Sequence, residues 1–290
     1  MKKVAVTGGN GRIGKAILRN LNEFGYWTVN LARGKRREEI SDQYITTDLL
    51  DPGNVYASMA KCEAEAVIHM GTIPGPNSHP GYVTYRSNVM SSYHILEAAS
   101  FLKLESVCLA SSINAIGYAY QEAPVEIFYL PLDEEHPATP RDPYGLGKRV
   151  MEITADGFGR LDRPPRTIVT LRYPWVVKEE QLRRTYKEAD RSLPALRGFP
   201  DPSGPLFTYI HIEDAAEIAR LAIEADFEGH ENFWAVAKDT TAEVSTETLI
   251  EEFYPHVELR TDFSRTRSLI DTRKAEKLLN WKPKRSWRHL

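Results

Sequence analysis

The chain has 290 residues, 42% of them apolar and 27% charged, and its 37 Lys+Arg against 40 Asp+Glu give a net charge of −3. That length allows one large domain or one and a half with a sizeable core, and the composition excludes a disordered chain, a collagen and a coiled coil. The balanced charge advertises no nucleic-acid or anionic-membrane partner, and no apolar stretch approaches the ~20 residues of a membrane span.

Up to Tyr173, strand-like and helix-like patterns alternate. Lys3–Thr7 predicts a strand. Arg12–Phe24 follows as a helix, with Ile13, Ile17, Leu21 and Phe24 at helical spacing and Gly25 as its stop. Strands are expected at Trp27–Ala32, Tyr44–Asp48, Ala66–Met70, Ser106–Ser111 and Thr167–Leu171. Helices are expected at Asn54–Ala60, Asn88–Leu102 and Tyr144–Phe158. Repeated βα units of this kind make an α/β fold with a doubly wound parallel sheet, the Rossmann arrangement. The pattern then changes. Pro174, Pro194, Pro200, Pro202 and Pro205 punctuate a stretch with one charged helix candidate, Lys178–Ala189. Beyond it come an extended Phe207–Ile212, a helix Glu213–Ala225, a strand Asn232–Ala237 and a helix Thr246–Phe253. The expected division is a dinucleotide-binding domain over 1–174 with a return segment at about 208–226. A smaller substrate lobe takes 175–207 and 227–290.

Thr7-Gly8-Gly9-Asn10-Gly11-Arg12-Ile13-Gly14 joins the first strand to the first helix. Glycines 8, 11 and 14 after a strand and at the head of an amphipathic helix make a phosphate loop. Glycine lets the backbone approach a pyrophosphate, and the helix N-terminus supplies free N–H groups and a positive dipole end. In such folds a carboxylate near the end of the second strand holds the ribose hydroxyls. Here that position is about Ala32, followed by Arg33-Gly34-Lys35-Arg36-Arg37. A missing acid and a well-placed Arg33 favour a 2′-phosphate, so NADP is expected over NAD.

Tyr144 and Lys148 are spaced to share one helix face. A tyrosine with an ordinary pKa of about 10 is a poor base at neutral pH. An adjacent ammonium and a nicotinamide cation stabilise its anion, so that it can exchange a proton with a substrate hydroxyl. Ser111 and Ser112 end a central strand, where such sheets bind ligands, and a hydroxyl there can orient the reacting oxygen.

Taken together, these segments resemble an extended short-chain dehydrogenase/reductase of the NAD-dependent epimerase/dehydratase family. The matching motifs are Thr7–Gly14, Asp48-Leu49, His69-Met70-Gly71-Thr72, Asn88 at the head of a helix, Ser111–Gly117, Tyr144–Lys148, Leu171–Pro174 and Tyr209–Asp214. They cover nearly the whole chain in the family's order. The resemblance implies Ser112, Tyr144 and Lys148 as the catalytic set, Ser112 being chosen because it precedes Gly117 by five. For the cofactor it implies Gly8, Gly11, Arg12, Ile13, Gly14, Asp48 and Leu49 near the adenosine and diphosphate, beside the Arg33 read above from the residues alone. Met70, Gly71, Thr72, Asn88, Tyr144, Lys148, Tyr173 and Val176 would lie along the rest of it.

Departures from the family pattern narrow the reaction. Ile113 and Asn114 stand where dehydratases carry an acidic pair, and neither titrates, so dehydration is disfavoured. The stretch Arg172-Tyr173-Pro174-Trp175 lacks the asparagine of UDP-sugar epimerases, and Phe207–Ile212 lacks their arginine. Burying a diphosphate without cationic partners is costly. The expected activity is therefore hydride transfer between nicotinamide and a hydroxyl or carbonyl carbon of a small sugar, sugar acid or polyol, with uronate dehydrogenases as the nearest analogy. Asn114, Trp175, Arg183 and Arg260 are candidate substrate contacts. The alternatives are an NDP-sugar 4-epimerase and, from another class, a non-enzymatic NAD(P)-sensing regulator, which would not need the full Ser-Tyr-Lys set. No His or Cys spacing supports a metal site, and His69 and His211 read as structural. Cys62 and Cys108 read as buried free thiols, and with no signal-peptide pattern at the start the expected compartment is the cytoplasm. Apolar residues on more than one face of the helices at about 88–102 and 144–158 predict a homodimer built on them.

Overall fold

The computed structural model describes residues 2–36, 38–118, 126–197, 204–263 and 267–290, so Arg37, Pro200 and Pro202 lie outside the described residues. Seven parallel strands form the central sheet: β1 (Lys3–Thr7), β2 (Trp27–Ala32), β3 (Gln43–Thr46), β4 (Ala66–His69), β5 (Ser106–Ser112), β7 (Thr167–Tyr173) and β10 (Gly229–Trp234). Their order is β10-β7-β5-β4-β1-β2-β3. Every residue of β5 and β7 is buried, as strands covered by helices on both faces must be. Helices α1 (Arg12–Glu23), α2 (Pro52–Cys62), α3 (Gly81–Phe101), α4 (Pro143–Gly159) and α7 (Ile212–Glu224) cover the faces. One core joins Ile17, Leu18 and Leu21 of α1 to Ile218, Ala219 and Ala222 of α7. The other joins Val55 and Met59 of α2 to Ile95 and Leu96 of α3 and to Met151 and Ala155 of α4.

Short elements complete the chain: β6 (Tyr129–Leu130), β8 (Trp175–Val177), α5 (Glu179–Leu182), α6 (Leu193–Arg197), β9 (Tyr209–His211), α8 (Thr246–Phe253), β11 (Glu258–Leu259) and α9 (Arg273–Leu279). A separate apolar cluster joins Ile113, Leu130, Leu132, Leu206, Trp234, Leu249 and Ile270.

Three expectations are corrected here. The segment 227–290 does not belong wholly to the lobe. Residues 229–234 form β10, an edge of the main sheet paired with β7, and Ala275, Leu279 and Trp281 pack into the core beside α7. Asn88 does not head a helix, because α3 begins at Gly81. The preceding Pro80 supplies a non-helical entry with no side-chain cap, so sequence carries little boundary signal there. The charged stretch at 178–189 is not one helix. The α5 turn gives way to a π-helical turn at Arg183–Lys187.

Candidate active site

The site lies at the C-terminal ends of β1, β4, β5 and β7. Strand β1 is flanked by β2 on one side and β4 on the other, so the connections diverge there and open a crevice. Gly8 has φ +67°, and a Cβ on it would come within 2.9 Å of the Gly71 backbone. A Cβ on Gly14 would meet the Gly8 carbonyl oxygen at 2.4 Å. Both positions therefore require glycine. Gly11 precedes α1 without a side-chain cap, and the first turn carries no acidic residue. The helix N-terminus thus offers its N–H groups and dipole to an anion, and exposed Arg12 adds a positive charge there. This closely packed, uncapped loop fits a dinucleotide diphosphate.

Thr7 ties the two loops of the crevice together. Its Oγ1 accepts from the N–H groups of Met70 (3.1 Å) and Gly71 (3.0 Å). Its proton is then free for His69 Nδ1 at 2.8 Å. That fixes His69 as the neutral tautomer with its proton on Nε2, facing Ser91 Oγ at 3.4 Å. Burial, aided by the Lys148 charge, pushes the imidazole pKa down to about 3. His69 is a structural link, as is His211, whose ring accepts from the Glu213 N–H at the start of α7. Asn88 is buried, and its amide donates to and accepts from the Ile73 backbone at 3.0 and 2.8 Å. It holds the loop after β4.

Asn10 links the phosphate loop to the end of β2. It accepts from Asn30 and donates to the Tyr44 hydroxyl, which in turn donates to the Gly34 carbonyl at 3.0 Å. No carboxylate occupies the end of β2, where Ala32 stands. Arg33 and Lys35 are exposed, whereas Arg36 turns back to the carbonyls of Glu38 and Ser41. Asp48 is exposed and accepts from the Leu50 N–H with one oxygen. The Leu49 side chain lies where a Cβ on Gly71 would stand, 2.3 Å away.

A cavity of about 300 Å³ is lined by Arg12, Ile13, Met70, Thr72, Ser111, Ser112, Asn114, Tyr144, Lys148, Tyr173, Trp175 and Val176, among others. Asp142 fixes the start of α4 by accepting from the N–H groups of Tyr144 and Gly145, both at 2.9 Å. Pro143 fills the first helical position, and this cap places Tyr144 at the cavity wall. Lys148 follows one turn later, with its Nζ 5.6 Å from the Tyr144 ring centroid. It donates to Thr72 Oγ1 at 3.0 Å and to the Ala110 carbonyl. Burial brings the Lys148 pKa down to about 7, against the opposing pull of the Glu152 charge. Ser112 Oγ accepts from the Asn114 N–H at 3.2 Å. Ser111, by contrast, donates to Glu152 Oε1 at 2.6 Å.

Tyr173 presents only its ring to the cavity, because its hydroxyl donates to the Ala215 carbonyl at 3.0 Å. Trp175 stands at the rim, 41% exposed, and is backed edge-to-face by Tyr186 at 5.9 Å. Two proposed substrate contacts are not at this cavity. Arg183 is exposed on the π turn with Glu179 at 3.5 Å. Arg260 lines a different surface hollow with Glu247 and Asp262, and its guanidinium lies over the Tyr129 ring at 3.3 Å. Sequence distance alone gave no way to see that both point elsewhere. Sequence reading also passed over Glu152 and Arg172, which are buried and paired behind the serines. A carboxylate four residues after Lys148 on the same helix was the available signal. Among the described residues, no cluster of three or more His, Cys, Asp or Glu is arranged to hold a metal ion, and no helix is long and apolar enough to cross a membrane.

Fold and site together define a dinucleotide-binding α/β protein with a Ser-Tyr-Lys constellation. A sequence model of the NAD dependent epimerase/dehydratase family matches residues 4–237, and the chain belongs to that family. It is 30% identical over 192 residues to human UDP-glucose 4-epimerase, covering 59% of this chain and 53% of that protein. It is 29% identical over 163 residues to the NAD-dependent glucose-6-phosphate dehydrogenase of Haloferax volcanii, covering 51% and 60%. The chain thus spans little more than half the length of these curated relatives. A short-chain dehydrogenase/reductase superfamily protein from Agrobacterium tumefaciens, solved with bound NAD, superposes with a TM-score of 0.71 at 18% identity over 99% of this chain and 94% of that one. At that identity the likeness shows the fold.

Proposed function

We propose that the protein is an NAD(P)-dependent oxidoreductase that moves a hydride between nicotinamide and a hydroxyl-bearing or carbonyl carbon of a small sugar, sugar acid or polyol. The observation that carries this reading is the convergence of Ser112, Tyr144 and Lys148 on one cavity beside the phosphate loop. When bound, the nicotinamide supplies a hydride acceptor or donor. Tyr144 takes the proton of the substrate hydroxyl, or returns one to the carbonyl oxygen. The buried Lys148 ammonium favours the tyrosinate. The Ser112 hydroxyl, already oriented by the Asn114 N–H, holds the reacting oxygen. Asn114 and the rigidly backed face of Trp175 are the proposed substrate contacts. Arg183 and Arg260 lie away from this cavity and are not among the proposed contacts.

NADP over NAD is proposed on two observations: no carboxylate ends β2, and Arg33 is exposed beside it, with no hydrogen bond or ion pair of its side chain among the described residues. A homodimer is proposed from exposed apolar residues on α3 and α4, namely Tyr82, Met90, Tyr93, Leu146 and Ile153. On the same two helices Leu96, Ser100 and Met151 are buried. A cytoplasmic setting is proposed from two buried free thiols, Cys62 and Cys108.

The test is turnover of hexoses, uronates and polyols with NADP and NAD, by wild type and by Tyr144→Phe. Wild-type turnover should fall by ~10²–10⁴ in the variant, with nucleotide affinity within a few-fold. A variant keeping more than about a tenth of wild-type kcat refutes the assignment of Tyr144. The similarity to human UDP-glucose 4-epimerase favours an NDP-sugar 4-epimerase as second reading. Release of tightly held nucleotide on denaturation would favour it, since an epimerase regains its hydride within each cycle.

A further inference from the structure

Behind the cavity lies a buried polar cluster that the proposed reaction does not use. Glu152 lies one turn beyond Lys148 and two beyond Tyr144 on α4, so the three share a helix face. Its side chain is 1% exposed. Arg172 of β7 grips it with two hydrogen bonds of 2.9 Å. Ser111 of β5 donates to it at 2.6 Å, and Arg149 at 3.1 Å. Ser111 and Arg172 are register partners in adjacent strands, and the next pair in the register is Ser112 and Tyr173, both at the cavity. Arg172 is itself anchored by the Glu134 carbonyl at 3.1 Å and lies 5.2 Å from the Trp234 ring. One carboxylate therefore joins the helix that carries Tyr144 and Lys148 to the strand ends that carry Ser112 and Tyr173.

We infer that Glu152 is a positioning residue for the proposed reaction: it fixes the Ser112 strand end against the Tyr144–Lys148 helix and supplies the counter-charge of the Lys148 ammonium. Lys148 has no carboxylate in direct contact, since its hydrogen-bond partners are the Thr72 hydroxyl and the Ala110 carbonyl. Burial works against its charge, and the Glu152 carboxylate works for it. Burial alone would push the Glu152 carboxyl up. The Arg172 charge, hydrogen bonds from Arg172 and Ser111, and the Arg149 charge outweigh that and hold it below the usual range. The charged and titratable groups around the pair are Tyr144 and Arg149 on α4, Arg172 on β7, His69 on β4, His230 on β10 and Glu134 before α4. Burial holds both histidines below their ordinary pKa, with the Asp156 carboxylate opposing it at His230. Glu152 is the carboxylate that acts on Lys148.

The inference rests on the proposed role of Lys148, but its test needs neither substrate nor nucleotide. The protein is labelled with ¹³C-lysine, and the Lys148 ε-carbon signal is assigned with Lys148→Arg and followed against pH. In wild type it should titrate near 7. Glu152→Gln should lower that midpoint by at least about one unit, a tenfold loss of proton affinity, while Glu152→Asp, which keeps the charge, should stay near wild type. Should Glu152→Gln fail to fold with Arg172 left unpaired, Glu152→Gln/Arg172→Met replaces the buried pair by neutral groups, an exchange proteins often tolerate. A smaller downward shift is expected there, because the Arg172 charge that opposes the carboxylate leaves with it. An unchanged Lys148 midpoint in a folded variant lacking the carboxylate overturns the inference. Inactivity toward every sugar would sink the proposed function and leave this titration standing.

Discussion

Lys148→Met should make the ligand-free protein more stable, by an amount that shrinks as pH rises. The ammonium is buried, and its pKa is brought from 10.5 to about 7 by burial, with Glu152 opposing. In the unfolded chain it returns to about 10.4. Below about pH 7 both states hold the proton, and folding carries the full cost of burying the charge. Between the two values the unfolded chain binds the proton and the folded chain does not, so the wild type gains stability with rising pH. Each unit is worth about 1.4 kcal/mol, so the full cost is about 5 kcal/mol, and roughly 3 kcal/mol is recovered between about pH 6 and pH 9.5. Methionine fills a similar volume and never charges. It loses the hydrogen bonds to Thr72 and Ala110, a penalty of ~1 kcal/mol each that does not vary with pH. Urea unfolding of nucleotide-free wild type and variant at several pH values reads the difference directly, and titrating groups that do not interact with Lys148, unlike His69 and Glu152, cancel in it. A variant-minus-wild-type difference that stays flat within about 1 kcal/mol across that range would show that Lys148 keeps its charge in the folded protein, and the reasoning fails.

Arg33→Asp should shift the ratio of NADP to NAD affinity at least about tenfold towards NAD, by removing a phosphate partner and supplying a ribose acceptor. Wild type that already binds NAD about tenfold more tightly in a fluorescence titration contradicts the role given to Arg33. Gly14→Ala should weaken nucleotide binding by more than about tenfold, because the new methyl meets backbone at Gly8 and Gly9 that cannot yield by a rotamer change; isothermal calorimetry showing wild-type affinity would count against the loop. Ile153→Glu, which puts a charge on the exposed apolar face of α4, should convert a dimer of 33 kDa chains to monomer in sedimentation velocity. A wild-type monomer at micromolar concentration rejects the dimer outright.

What could be read from the sequence is what local spacing dictates. The glycines at 8, 11 and 14 fix a loop because each constraint acts within a few residues: the Gly14 Cβ position collides with the Gly8 carbonyl. The helical spacing of Tyr144 and Lys148 survives folding for the same reason, and Asp142-Pro143 marks the helix start. Strands β5 and β7 read as apolar runs because both faces are covered. The start of α3 was misplaced by seven residues because Gly81-Tyr82-Val83 follows a proline-rich loop and carries neither a capping side chain nor an acidic first turn. The edge strand β10 was assigned to the lobe because its residues are only half covered over Gly229–Asn232, so a short, mixed pattern did not declare which sheet it would join.

Tertiary register governs what could not be read, and charged residues show this most sharply. Arg12, Arg172, Arg183 and Arg260 are alike in sequence. Folding sends Arg12 to the cavity wall, Arg172 into the core against Glu152, Arg183 to solvent beside Glu179 and Arg260 onto Tyr129. A guanidinium is costly to bury and is found inside only where a carboxylate meets it. The informative unit is thus the pair and not the arginine. Glu152 and Arg172 are twenty residues apart, on a helix and on the strand that follows it, and Ser111 reaches the same carboxylate from forty-one residues away. Only the strand register of Ser111 with Arg172 and of Ser112 with Tyr173 shows that this pair sits directly behind the cavity. The same register separates the two serines by role. Adjacent residues on a strand face opposite ways, so one hydroxyl turns to the Glu152 carboxylate and the other is left to accept from the Asn114 N–H beside Tyr144. A Ser111→Ala variant should accordingly disturb the Lys148 titration through Glu152, while Ser112→Ala should lower kcat and leave that titration in place. Equal effects of the two substitutions on both readouts would show that the strand end acts as one unit and that the division of labour drawn from its geometry is wrong.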